Sequence, residues 1–130
     1  MQLCPQVDDN EPIVLGNVSE EWQFFLEAWK HIPIKYYSLQ VGSGITTNRR
    51  LLYINPKREG VSYQIKTNMP HLISIKNNSL ILSKDEGMYV KFTITPPSTP
   101  CKINVKFVIE DIITQLPVEG IEMEINVKNF

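Results

Sequence analysis

From about residue 36 to the end of the chain, short runs of residues alternate between apolar and polar side chains. Successive side chains of a β-strand point to opposite faces of its sheet, so an alternation with a period of two is typical of half-buried strands. In the segment VSYQIKT, Val61, Tyr63 and Ile65 share one face while Ser62 and Lys66 lie on the other. The chain is therefore predicted to be all-β.

Three later runs repeat this pattern and supply further inward-facing apolar residues. The inward sets are Val90, Phe92 and Ile94; Ile103, Val105, Phe107 and Ile109; and Ile121, Met123, Ile125 and Val127. Stretches rich in glycine, proline, asparagine and aspartate separate the runs, and these residues supply turn conformations. About seven short strands at such spacing predict a two-sheet β-sandwich.

The sustained alternation begins only at about residue 36. Residues 1–35 are therefore predicted to be an N-terminal segment that precedes a sandwich formed by residues 36–130. Within it, SEEWQFFLEAWKHIPI fits two structures. As a helix it begins after Ser19 and presents a stripe of Trp22, Phe25, Leu26 and Trp29. As a strand it places Phe25 outward, and the residues alone leave both structures open.

Charge and cysteine content limit the classes of function. Lysine and arginine total 13 against 14 acidic residues, a formal net charge of -1. No overall field therefore favours nucleic acid or an anionic membrane. Cys4 and Cys101 match neither a metal ligand set nor a disulfide framework and are predicted to be free thiols in a reducing compartment. The N-terminus lacks the basic start and apolar stretch of a secretory signal, which favours a cytoplasmic protein without membrane insertion.

The sequence contains no recognisable catalytic, metal or cofactor motif. The two histidines, His31 and His71, stand beside prolines and outside any nucleophile–base pattern. Four suitably spaced zinc ligands are not available. The GSG sequence at 42–44 lacks the lysine and helix of a phosphate loop and is interpreted as a turn. We therefore predict that the protein is not an enzyme and that it uses no cofactor or metal.

A few outward-facing residues form a candidate peptide-binding surface. Lys66 and Thr67 end one predicted strand, while Lys106 and Val108 project outward from another. Neighbouring strands would gather them into a basic groove with an apolar spot, suited to an acidic or extended peptide. The alternative is a solvated face with one incidental exposed valine.

The order of motifs between residues 46 and 127 resembles the major-sperm-protein (MSP) and ASH superfamily of immunoglobulin-like domains. The shared pattern is a strand ending in Asn55-Pro56, a strand ending in KTNMP, a short strand leading to Asn78-Ser79, and a turn ending at Gly87. The resemblance implies an immunoglobulin-like (MSP/ASH-type) antiparallel β-sandwich of about seven strands.

Two branches of this superfamily imply different functions. The run MPHLISIKNNSLIL and the final hairpin resemble the tandem domains of nephrocystin-4, a ciliary transition-zone scaffold. This resemblance implies that residues 20–30 are extended and that the chain is an excerpt from a longer array of domains. It also implies ciliary or centrosomal protein partners at the basal body. The other branch is the VAP-type domain, which binds acidic FFAT peptides. Its peptide contacts fall on Lys66, Thr67, Lys106 and Val108, although Val108 replaces a methionine and Asn68 a threonine.

Overall fold

A computed structural model describes residues 19–129, which form one helix and eight strands. In chain order these elements are α1 (Glu20–Trp29), β1 (Ile34–Gly42), β2 (Thr47–Ile54), β3 (Val61–Thr67), β4 (Ile73–Ile75), β5 (Ser79–Leu82), β6 (Gly87–Ile94), β7 (Cys101–Asp111) and β8 (Pro117–Lys128). The predicted all-β sandwich is confirmed, because the strands form two sheets around one core.

The larger sheet has five strands in the order β1-β8-β7-β3-β5, and the smaller has three in the order β2-β6-β4. All neighbouring strands are antiparallel except β1 and β8, which run parallel with Ile34 opposite Gly120. The sandwich is therefore antiparallel, as predicted, with one parallel pair at this edge. A parallel pair needs a long connection, and the intervening strands supply it here.

The inward faces follow the alternation in the sequence. Tyr63, Ile65, Phe92 and Ile94 are buried, as are the inward residues predicted for the last two strands. Phe92 contacts Phe107 across the two sheets, with ring centroids 5.7 Å apart. Burial of this apolar surface is the main favourable contribution to folding.

Residues 20–29 form a helix, so the extended structure implied by the nephrocystin-4 resemblance is wrong. The Ser19 side chain caps the helix by accepting a hydrogen bond from the Trp22 N–H. Phe25 is fully buried, and its ring lies edge-on to Trp22 with centroids 5.1 Å apart. The helix is favoured because it packs Phe25 against the large sheet, whereas a strand would expose this ring.

The free-thiol prediction is wrong for Cys101, which is disulfide-bonded. Cys4 lies outside the described residues. Spacing along the chain contains no information about distance in space, which is what decides whether two cysteines can be joined. The prediction of a reducing compartment rested on that spacing and loses its support.

Candidate protein-interaction surface

The candidate peptide-binding residues lie on two adjacent strands of the large sheet. Lys66 on β3 is directly opposite Val108 on β7, and Lys106 is two residues away on the same outer face. Thr67 has the opposite orientation, and its hydroxyl accepts a hydrogen bond from the Met69 N–H at 3.2 Å. The structure therefore brings Lys66, Lys106 and Val108 together but not Thr67.

Val108 is completely buried, so the prediction that it is exposed is wrong. Alternation correctly places Val108 on the outer face, but helix α1 lies across that face. Gly120 is directly opposite Val108, and a Cβ atom added to Gly120 would lie 2.6 Å from the Trp29 ring. The helix thus gives the large sheet a second buried layer, which strand periodicity cannot reveal.

Lys66 is held by acidic side chains from the helix and the sheet. Its Nζ donates to Glu21 Oε2 at 2.6 Å and lies 3.4 Å from Glu110 Oε1. It also lies 5.5 Å from the centroid of the Phe25 ring. Partial burial lowers the pKa of Lys66, but the Glu21 hydrogen bond and the two negative charges outweigh it and raise the pKa above its ordinary value.

Lys106 has the same kind of surroundings at the other end of the helix. Its Nζ lies 3.6 Å from Glu122 Oε1 and 5.8 Å from the centroid of the Trp29 ring. It also donates to Asn104 Oδ1 at 3.2 Å. Both lysines of the candidate site are therefore already paired with acidic groups and lie beside the two aromatic rings of α1 that cover the sheet.

Sequence reasoning missed a second surface on the opposite side of the molecule. The outer face of the small sheet carries exposed side chains that follow from the register of β2 and β6, in which Arg50 is opposite Lys91 and Leu52 is opposite Tyr89. We call this surface the basic–apolar face; it consists of Arg50, Leu52, Ile54, Tyr89 and Lys91. The sequence feature that indicates this face is the run NRRLLYI, in which alternate residues are cationic and then apolar but never acidic.

The described residues do not assemble a recognisable chemical centre. His31 and His71 are both exposed. Within residues 19–129, histidine, cysteine and acidic side chains form no cluster suited to a metal ion. Over the same residues, no helix is long and apolar enough to cross a lipid bilayer.

The model of the family described as NPH4 Ig-like domain 4 matches residues 35–115. The chain belongs to this family. The matched region begins just after α1, so the helix lies outside it. Immunoglobulin-like and MSP domains are in general non-catalytic, and the family is one of protein-interaction domains. No curated protein matches the sequence.

Solved structures support the MSP/ASH-type fold of this NPH4-family domain. SSP-19, an MSP-domain protein-like family member from Caenorhabditis elegans, is 10% identical, covers 74% of this chain and 94% of its own, and has a TM-score of 0.52. The C. elegans MSP family member WR4 is 6% identical over 74% of this chain and 93% of its own, with a TM-score of 0.51. The ASH/PapD-like domain 7 of human CEP192 is 9% identical, covers 72% of this chain and 80% of its own, and has a TM-score of 0.50.

Proposed function

We propose that this chain is a non-catalytic protein-interaction module of a scaffold at the basal body or transition zone of the cilium. The match of residues 35–115 to NPH4 Ig-like domain 4 carries this proposal. The run MPHLISIKNNSLIL, which resembles nephrocystin-4, lies within this region and supports the proposal. The partners are other proteins, in particular ciliary or centrosomal scaffold components, and binding requires no cofactor.

The surface chemistry supports binding rather than catalysis. Of the side chains with perturbed pKa values, Tyr53 is buried in the core, whereas Lys66 lines surface pockets but is already engaged in ion pairs with Glu21 and Glu110. Convergent polar groups in a concave site are what an enzyme needs. A sandwich instead offers sheet faces and loops on which other proteins can dock.

Localisation in ciliated cells tests this function. The full chain carrying a fluorescent tag is expected to concentrate at the ciliary base relative to the cytoplasm, compared with the tag alone. A biotin-ligase fusion is expected to label transition-zone or centrosomal proteins above the level of a freely diffusing ligase. A distribution and labelling pattern identical to those of the tags alone would contradict the proposal.

A second candidate function is an acidic-peptide reader on the α1-covered side of the large sheet. One observation favours it: Lys66 already binds Glu21, while Lys66 and Lys106 lie beside the Phe25 and Trp29 rings. This surface therefore has the chemistry to hold an acidic segment with aromatic residues. In this hypothesis an FFAT-type peptide displaces α1 and contacts Lys66, Thr67, Lys106 and Val108.

Titration of the full chain with an acidic FFAT-type peptide tests the second candidate. Saturable binding is expected to weaken with salt and to disappear in the Lys66→Asp/Lys106→Asp variant. Glu21→Gln should strengthen binding, because it removes the helix carboxylate that competes for Lys66. Failure of both the unmodified chain and Glu21→Gln to bind would leave the ciliary module as the better account.

A further inference from the structure

The basic–apolar face combines exposed apolar area with exposed positive charge. Leu52, Ile54 and Tyr89 are 45%, 50% and 42% exposed, respectively, although each is a large apolar or aromatic residue. Both Leu52 and Ile54 lean over Gly87, where an added Cβ would lie 3.2 Å from each side chain. The three side chains and Gly87 therefore form a continuous apolar strip, of the kind that marks interaction sites on soluble proteins.

The cations beside this strip have no acidic partners in the described part of the chain. Arg50 and Lys91 are directly opposite each other, an arrangement that is unfavourable for like charges. Strands β2, β4 and β6 contain no aspartate or glutamate. Within residues 19–129, every ion pair instead involves α1, its C-cap Lys30 or the large sheet. The small sheet therefore presents positive charge that a partner can neutralise.

Contact with Tyr89 supports Arg50 at the surface. The guanidinium carbon lies 4.3 Å from the centroid of the Tyr89 ring, within the range of a cation–π interaction. A planar guanidinium restrained in this way loses less conformational freedom when it binds a carboxylate. Lys76 adds a nearby cation, because its N–H donates to the Lys91 carbonyl at 2.8 Å.

We propose that the basic–apolar face binds an acidic protein segment that also carries apolar side chains. Carboxylates of the segment pair with Arg50 and Lys91, while its apolar side chains cover Leu52, Ile54 and Tyr89. Charge complementarity requires that the partner carry negative charge at this surface. The apolar strip favours a protein over a nucleic acid, because nucleic-acid binding depends mainly on phosphate contacts. This inference rests on the proposed function and deepens it by specifying a docking surface and the chemistry of its partner.

Selection from a library of random peptides displayed on phage tests the proposal with the full chain as bait. Enriched peptides are expected to contain acidic and apolar residues, and a synthetic copy is expected to bind more weakly as salt increases. The Arg50→Glu/Lys91→Glu variant should reduce its affinity about tenfold or more. Leu52→Ser should also weaken it, because the apolar contact is lost.

Two matched variants distinguish the basic–apolar face from other cationic parts of the surface. Lys57→Glu/Arg58→Glu makes the same change of charge at two exposed residues of the β2–β3 loop and should leave affinity unchanged. Lys66→Asp/Lys106→Asp removes the cations on the opposite side, and binding that survives this change but not Arg50→Glu/Lys91→Glu belongs to the basic–apolar face. Urea unfolding of each variant checks that the fold is retained.

Several outcomes would overturn the proposal. These are peptides without acidic enrichment, equal binding by Arg50→Glu/Lys91→Glu, or binding lost only in Lys66→Asp/Lys106→Asp. Tighter Arg50- and Lys91-dependent binding to a DNA duplex or to phosphatidylserine vesicles would assign the face to a different partner. If the chain concentrates at the ciliary base but selects no acidic peptide, the proposed function stands and the proposed docking surface is wrong.

Discussion

At the scale of single residues, Asn55 shows how one polar side chain can organise two turns. It is buried, with its Nδ2 donating to the carbonyls of Glu59 and Ser83 at 2.9 and 3.0 Å. Its Oδ1 accepts hydrogen bonds from the Lys57 N–H and the Tyr63 hydroxyl. Asn55 therefore links the β2–β3 loop to the turn after β5, because satisfied buried polar groups fix local geometry.

Tyr53 and Tyr63 provide a matched test of hydrogen bonding. Their rings meet edge-on with centroids 5.7 Å apart, but only Tyr63 donates to Asn55; the buried Tyr53 hydroxyl makes no close hydrogen bond and lies near the Glu119 carboxylate. Tyr63→Phe is expected to lower the free energy of unfolding by about 1 kcal/mol or more, and Tyr53→Phe to leave it unchanged or raise it. Urea unfolding measures both; equal losses would contradict this assignment.

Val108 tests whether the outer face of the large sheet is truly buried. Val108→Thr keeps the shape but places a hydroxyl beneath α1, and is expected to destabilise the fold by about 1–3 kcal/mol. Ile81→Thr, at a position 77% exposed in the same sheet, should change stability by less than about 0.5 kcal/mol. A Val108→Thr midpoint as high as that of the unmodified chain in urea would argue against a docked helix.

At the scale of elements, α1 decides which surface of the large sheet is accessible. Its acidic first turn holds Glu20 and Glu21, and Glu21 pairs with Lys66, while Phe25 and Trp29 cover the strands. Short isolated helices are marginal in water, so the helix depends on this packing for its stability. Gly120 permits it, because a side chain at this position would collide with Trp29 and Ile34.

Gly120→Ala is expected to displace α1. Its added Cβ would lie 2.6 Å from Trp29 ring carbons and 2.7 Å from Ile34 Cδ1, and such overpacking costs about 1–3 kcal/mol. Tryptophan fluorescence and urea unfolding should both change. Gly60→Ala is the control, since its Cβ would meet only ordinary contacts at 3.5 Å or more. Identical behaviour of the two variants would show that the helix does not depend on Gly120.

At the scale of the whole molecule, a net charge of -1 conceals two unlike sides. The α1-covered side contains ion pairs between lysines and glutamates, whereas the strands of the small sheet carry cations alone. A uniform field is therefore absent, but local fields of opposite character remain. This difference, and not overall charge, distinguishes the two surfaces for which we propose partners.

Alkaline pH is expected to destabilise the whole fold. Burial first, and then negative charge nearby, raises the pKa values of Tyr53 and Tyr63, and the pKa of Lys66 is raised too. The folded state thus binds more protons than the unfolded state above about pH 10, so stability is complete below that pH and falls as pH rises through the folded pKa values.

Urea midpoints measured from neutral to strongly alkaline pH test this dependence. Tyr53→Phe should flatten the decline, because one raised pKa no longer contributes. Tyr36→Phe, at a position 71% exposed, supplies the control for loss of a phenol. A midpoint that does not fall above about pH 10 would contradict the predicted linkage.

The alternation of apolar and polar residues was enough to predict the class of fold and the inward face of each main strand. Period-two alternation is a local property of the backbone, so Ile65, Phe92 and Ile109 could be placed in the core from the pattern alone. The motif order from Asn55 to Gly87 likewise predicted the MSP/ASH type of sandwich, which the structure and the family match confirm. Lys66 and Lys106 were correctly assigned to one outer face because strand parity and pairing are regular.

What covers each face of the sheets could not be predicted from the alternation of residues. Whether residues 20–29 form a helix, whether Val108 is buried and whether Cys101 is disulfide-bonded all depend on contacts between segments distant in sequence. The parallel pairing of β1 with β8 and the strand register that places Arg50 opposite Lys91 also join segments that are distant in sequence. Local patterns specify which side chains leave a sheet on the same side, but burial and electrostatics depend on which other element packs there.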